Sequence, residues 1–116
     1  MSFIVLLMNR PRVREFGIEL GRIPPGNLNM ITDIEGIGVG HVTIIEGDDI
    51  RTGVTAIVPH KGDLYQHKVS AAVDIFNAYG KATGLPQIMH EGVIETPIML
   101  TETLNTWRIA DAVLDY

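Results

Sequence analysis

Two β-branched runs flank a short polar link near the middle of the chain, and together they leave little choice of local structure. Ile37, Val39, Val42, Ile44 and Ile45 are close to alternating, and "TGVTAIVP" (Thr52 to Pro59) has the same character until proline stops it. Between them lies "EGDDIR", Glu46 to Arg51, a turn-forming stretch. A period of two places alternate side chains on opposite faces, and a Gly/Asp link reverses the chain, so the pattern predicts a β-hairpin. The glycines at its mouth, Gly36, Gly38 and Gly40, sit in "DIEGIGVGHVT". A dinucleotide loop needs a helix N-terminus after its last glycine, so that backbone N–H groups meet the pyrophosphate. Here "HVTIIEGD" follows, which is strand-like. The glycines are therefore read as backbone freedom at the start of a strand.

Further along, the period changes. In "KVSAAVDIFNAYGK" the apolar residues Val69, Ala72, Val73, Phe76 and Tyr79 fall on one helical face, with Gly80 as the C-cap. "VIETPIMLT", Val93 to Thr101, predicts a strand that Pro97 confines to an edge or an irregular segment. The final stretch, "NTWRIADAVLDY", predicts a helix by Trp107, Ala110 and Leu114, with Thr103, Asn105 or Thr106 as N-cap. No Gly, Asn or basic residue closes it, and Asp111 and Asp115 stand at the negative end of its dipole. That points to an incomplete domain.

Composition limits what such a chain does. With 46% apolar and 20% charged residues, 116 residues suit one globular domain and not a disordered one. A net charge of −5, with basic residues scattered apart from Arg10, Arg12 and Arg14, gives no electrostatic ground for nucleic acid. The absence of cysteine removes disulfides and thiolate metal sites and makes a reducing cytoplasm the default. The apolar run Phe3 to Met8 is too short for a signal peptide or a membrane span. Met8 is a second possible start, and Met1 to Leu7 reads either as a disposable extension or as a short edge strand. Pro24, Pro25 and Gly26 mark a turn between the basic leader and the body.

Few residues offer chemistry. His41, His60, His67 and His90 lack the i, i+4 spacing of a helical zinc site, so no metal is expected, although Asp63 and Glu91 lie close by. Neither Ser2 nor Ser70 lies in a Gly-x-Ser-x-Gly elbow, and the threonines have no evident base partner. No catalytic residue is assigned. Glu95 stands apart because "VIETPIML" surrounds it with apolar neighbours. It is either an acid on the solvent face of an edge strand or a carboxylate kept in a pocket for a cationic group such as a free amine.

The order "NMITDIEGIGVGHVT", "RTGVTAIVPHKGDLYQHKV", "NAYGKATGLPQ" and "IETPIMLTETL" resembles the start of the DmpA/P1 peptidase family. This is the L-aminopeptidase/D-esterase and β-aminopeptidase group, and the likeness runs from about Arg14 to Tyr116. It implies an α/β (α+β) fold: part of an αββα sandwich of the N-terminal-nucleophile kind, with helices packed on mixed or antiparallel strands. Residues 1–13 are then an extension, and 14–116 the N-terminal part of an incomplete domain.

The resemblance further implies a self-processing aminopeptidase or amidohydrolase. Its N-terminal Ser or Thr attacks peptides, amides or esters that bear a free amino end. That nucleophile belongs to a downstream subunit, so this chain by itself is expected to be inactive, without a cofactor. Its expected partners are a peptide, amide or ester substrate, the remainder of the precursor or a second subunit, and further copies in a homo-oligomer. Glu95 matches a position of the family's substrate pocket, with Thr96, Thr101 and Thr103 in the same region. Two departures stand out: Glu102 replaces the usual Asn of "LTNTL", and "NAYGK" replaces "NGFGK". The competing expectations are a non-catalytic binding or structural module left by truncation, and a proteolytic remnant.

Overall fold

The computed structural model of the protein describes residues 11–77 and 79–116. The readings for Met1 to Leu7 and for Met8 lie outside the described residues. The predicted hairpin is present. β1 (Gly38–Glu46) and β2 (Ile50–Val58) pair antiparallel over nine residues each, from Gly38 opposite Val58 to Glu46 opposite Ile50. Gly47, at φ 52°, opens the three-residue link Gly47 to Asp49 between them. Gly53 is required for a different reason. A Cβ at that position lies 2.3 Å from the carbonyl oxygen of Val42, so the two backbones approach closely here because no side chain intervenes.

The apolar run from Val93 does not form one strand. It divides into β4 (Val93–Ile94) and β5 (Ile98–Thr101), separated by Glu95, Thr96 and Pro97. β5 pairs antiparallel with β2, from Val54 opposite Thr101 to Ile57 opposite Ile98, giving a sheet of order β1-β2-β5. β4 pairs with β3 (Val69–Ser70) in a separate two-stranded ribbon. Pro97 therefore interrupts the ladder as expected, and the chain passes from one sheet to the other at that interruption.

Among the described residues the helix predicted from Val69 to Tyr79 is absent. Val69 and Ser70 are in β3, Ala71 donates its N–H to the carbonyl of Gly92 at 2.8 Å, and Ala72–Asn77 has no regular structure. Pairing with β4 takes the backbone groups that a helix would have used. Phe76 and Tyr79 are 95% and 91% exposed, so among the described residues little packing rewards an amphipathic face. Helix α1 lies further on, at Leu85–Glu91, with Gly84 and Gly92 at its ends in the left-handed region and Pro86 in its first turn.

Helix α2 (Thr106–Val113) is where the final stretch predicted it, with Asn105, one of the expected residues, at the N-cap position but without a side-chain capping bond. Glu102 accepts a hydrogen bond from the backbone N–H of Leu104 at 2.8 Å and contacts the Asn105 side chain, capping a 3-10 turn (Thr103–Asn105) that leads into the helix. The half-buried face is Ile109, Ala110 and Val113, whereas Trp107 and Leu114 are exposed. The N-terminal segment is tied back by polar groups. The Arg12 guanidinium donates to the Leu28 carbonyl at 2.7 Å, and the Asp33 carboxylate accepts from the N–H groups of Leu28 and Met30.

Burial is sparse. Among the described residues Leu64, 4% exposed, is the buried large aliphatic, and Pro97 is buried as well. The chain exposes 10385 Å², against about 6,300 Å² for a compact monomer of 12.8 kDa. Its radius of gyration is 17.3 Å, where a compact domain of this length has about 13 Å. The architecture is thus mixed helix and antiparallel sheet with its sheet faces largely open.

The close approach at Gly53 gives a direct test. Gly53→Ala is expected to destabilise the hairpin by about 1–3 kcal/mol, the usual cost of overpacking. Gly40→Ala, whose Cβ meets open space, is expected to leave stability unchanged or raise it. Urea unfolding followed by circular dichroism separates the two.

Candidate functional site

The ribbon register fixes the main pair. Val69 stands opposite Ile94 and Ser70 opposite Val93, so one step beyond the ladder Lys68 faces Glu95. Opposite charges at facing positions of antiparallel strands attract, and the Lys68 ammonium donates to Glu95 Oε2 in an ion pair. The side chains keep 39% and 25% of their exposure, so both are still open to solvent. Lys68 also lies over the Tyr65 ring, 4.5 Å from its centroid.

The loop between β2 and β3 brings Lys68 to this place through local polar ties. The backbone N–H of Gly62 donates to His60 Nδ1 at 3.1 Å, which puts the ring proton on Nε2. Nε2 then donates to the carbonyl of His67 at 2.8 Å. Asp63 Oδ1 accepts the N–H groups of Tyr65 and Gln66 at 2.9 and 3.0 Å, and its carbonyl accepts that of His67. His60 and Asp63 thus act as loop braces. His41 is likewise engaged, with Nδ1 2.8 Å from the Thr55 hydroxyl across the hairpin.

Glu95 borders a cleft of about 620 Å³ between the β4–β5 seam, α1 and α2. Its lining includes Glu95, Thr96, Thr101, Gln87, Ile109 and Val113, and apolar groups predominate. Three of the four residues singled out from the sequence therefore meet in one place. Thr103 is not among the lining residues; it lies exposed in the 3-10 turn. The Thr101 hydroxyl donates to the Gly53 carbonyl at 3.2 Å and that of Thr96 to the Pro97 carbonyl at 3.2 Å, so both are engaged with backbone. Glu102 is engaged in capping. Lys68 and Gln87 were missed in the sequence: a lysine 27 positions from its partner carries no local mark, since only the ribbon register joins them.

The Glu95 carboxyl is held below its ordinary value of 4.5, first by the Lys68 hydrogen bond and then by one from Gln87, against a smaller opposing effect of burial. Because the folded state favours the ionised form, this contribution to stability is complete above 4.5 and fades as pH falls through the depressed folded value. Carboxyl carbon chemical shifts, followed with pH, are expected to show Glu95 titrating below 4.5. The midpoint should rise on Lys68→Met and rise less on Gln87→Leu. The reverse order would assign the main hold to α1.

Residues 29–116 match the profile of Peptidase family S58. The β-peptidyl aminopeptidase BapA of Sphingosinicella microcystinivorans is 34% identical over 114 residues, covering 91% of this chain and 28% of that protein. BapA of Sphingosinicella xenopeptidilytica is 36% identical with the same coverage. Among solved structures, the PH0078 protein of Pyrococcus horikoshii OT3 superposes with a TM-score of 0.83 at 46% identity, over 89% of this chain and 31% of that one. A Burkholderia sp. β-aminopeptidase gives 0.83 at 40% identity, over 90% and 31%. The chain spans about 28% of the length of the curated relatives it matches. No helix among the described residues is long and apolar enough to cross a membrane. The profile match over most of the chain and the likeness to these relatives agree: the protein belongs to peptidase family S58, the DmpA-type aminopeptidase family.

Proposed function

We propose that this chain, over residues 14–116, forms the amine-binding N-terminal part of a hydrolase acting on peptides, amides or esters with a free amino end. The observation that carries this reading is a single carboxylate, Glu95, at the edge of an apolar cleft in a member of this family. An ammonium group anchored there leaves the apolar walls to hold the rest of the substrate. The relatives described as β-peptidyl aminopeptidases support substrates with a free amino end.

The attacking group in this reading is an N-terminal Ser or Thr from outside these residues, freed by self-processing. Its own α-amino group takes the hydroxyl proton as the oxygen adds to the amide carbonyl. An acyl-enzyme forms, the amine departs with the proton, and water releases the acid. Within the described residues Ser70 is a strand residue of β3, its backbone taken up in the ribbon with β4. The open sheet faces and the excess exposed area favour a chain that is covered by further polypeptide over a self-sufficient binding module. That cover is the remainder of the precursor or a second subunit, and further copies complete a homo-oligomer. The lack of cysteine supports a cytoplasmic setting.

In the protein at its native length and assembly, Glu95→Gln is expected to lower kcat/KM for amino-terminal substrates by about 10- to 100-fold, the worth of a charge-assisted hydrogen bond. Uncharged esters should change far less, and equal losses on both classes would remove the role given to Glu95. Denaturing mass spectrometry of the same protein is expected to resolve two chains, one beginning with Ser or Thr. A single unprocessed species in an active preparation would overturn the self-processing step.

A further inference from the structure

The cleft holds a carboxylate suited to an ammonium group, yet that carboxylate already has one. Lys68 Nζ bonds to Glu95 Oε2 from the end of the loop before β3, and it is Lys68 and not Lys81, the basic residue lining the cleft, that does so. In the same conformation the Lys68 ammonium lies over the Tyr65 ring, 4.5 Å from its centroid, a contact that does not depend on Glu95. The loop that carries both residues is braced by His60 and Asp63, so Tyr65 stays in position whether or not the lysine is bound to Glu95.

We propose that Lys68 is a tethered stand-in for the substrate's ammonium group, occupying Glu95 while the cleft is empty and releasing it, with the Tyr65 ring contact kept, when an amine enters. This rests on the reading of Glu95 as the ammonium anchor. A charge on a short tether competes at an effective concentration in the millimolar range. It therefore sets a threshold that a bound amine must exceed, and it keeps Glu95 ionised and correctly aimed meanwhile. A ligand without an ammonium group has nothing to exchange for the lysine. Lys68 is thus a specificity-determining residue that acts on binding and leaves the bond-breaking step alone.

The test uses the protein at its native length and assembly, titrated calorimetrically with n-propylammonium, and with 1-propanol as the uncharged control. Lys68→Met and Lys68→Gln are both made, since the glutamine keeps a donor that holds Glu95 in place if the methionine variant folds poorly. Both are expected to bind n-propylammonium about fivefold more tightly than wild type, the scale of a half-exposed ion pair, with 1-propanol unaffected. KM for an amino-terminal substrate should fall by the same factor while kcat holds, and Lys68→Arg should return both to wild-type values. Unchanged or weaker binding in the two neutral variants would overturn the stand-in role and leave Lys68 a structural brace. Undiminished n-propylammonium binding in Glu95→Gln would instead overturn the anchor on which the proposal rests.

Discussion

One missing N–H governs the arrangement. Pro97 has no donor for a ladder, so the apolar run from Val93 to Thr101 does not remain in one sheet. Two residues of the run pair with β3, four pair with β2, and the three between them span the gap. Glu95 is in that gap. A carboxylate in the middle of a continuous strand would face either a sheet surface or a solvent edge. At the seam between two sheets it borders a cleft and still meets the residue across the ribbon. The proline thus separates Glu95 from the apolar neighbours that surround it in sequence.

Local rules account for what was legible in the sequence. The hairpin is a short-range object: two alternating runs, a Gly/Asp link and a terminating proline are contained in about two dozen positions. The interruption at Pro97 is equally local, and the final helix follows from its own apolar spacing. Glu95 stands out by its neighbourhood and Thr96 and Thr101 by resemblance, and all three line the cleft. Their hydroxyl engagements with backbone, however, follow from strand pairing that no single segment reveals.

The failures share one cause. Val69 to Tyr79 carries a helical period, but its first residues are claimed by a strand more than twenty positions away, and Phe76 and Tyr79 stay exposed. Periodicity is a preference of one segment, and non-local pairing outweighs it. For α1 a signal existed in the flanking Gly84 and Gly92 and in Pro86, but the segment is only seven residues and has no strong apolar stripe. The Lys68–Glu95 pair belongs to the same class as β3. The register that unmade the expected helix is also what brings the lysine to the acid.

Sparse burial has a consequence for how the site is held. With Leu64 and Pro97 the buried residues among those described, little apolar packing surrounds the cleft to fix its side chains. Fixation comes from directed polar contacts: His60 and Asp63 on the loop carrying Lys68, Lys68 itself on Glu95, and Glu102 at the entry to α2. Hydrogen bonds are directional where apolar contacts are not, so a few of them orient a carboxylate over an open surface. Covering polypeptide would then add burial to an arrangement whose geometry is already set. The order matters physically. A charge pair aligned before it is covered loses little further freedom on being enclosed, and in the lower dielectric of an enclosed cleft its attraction strengthens.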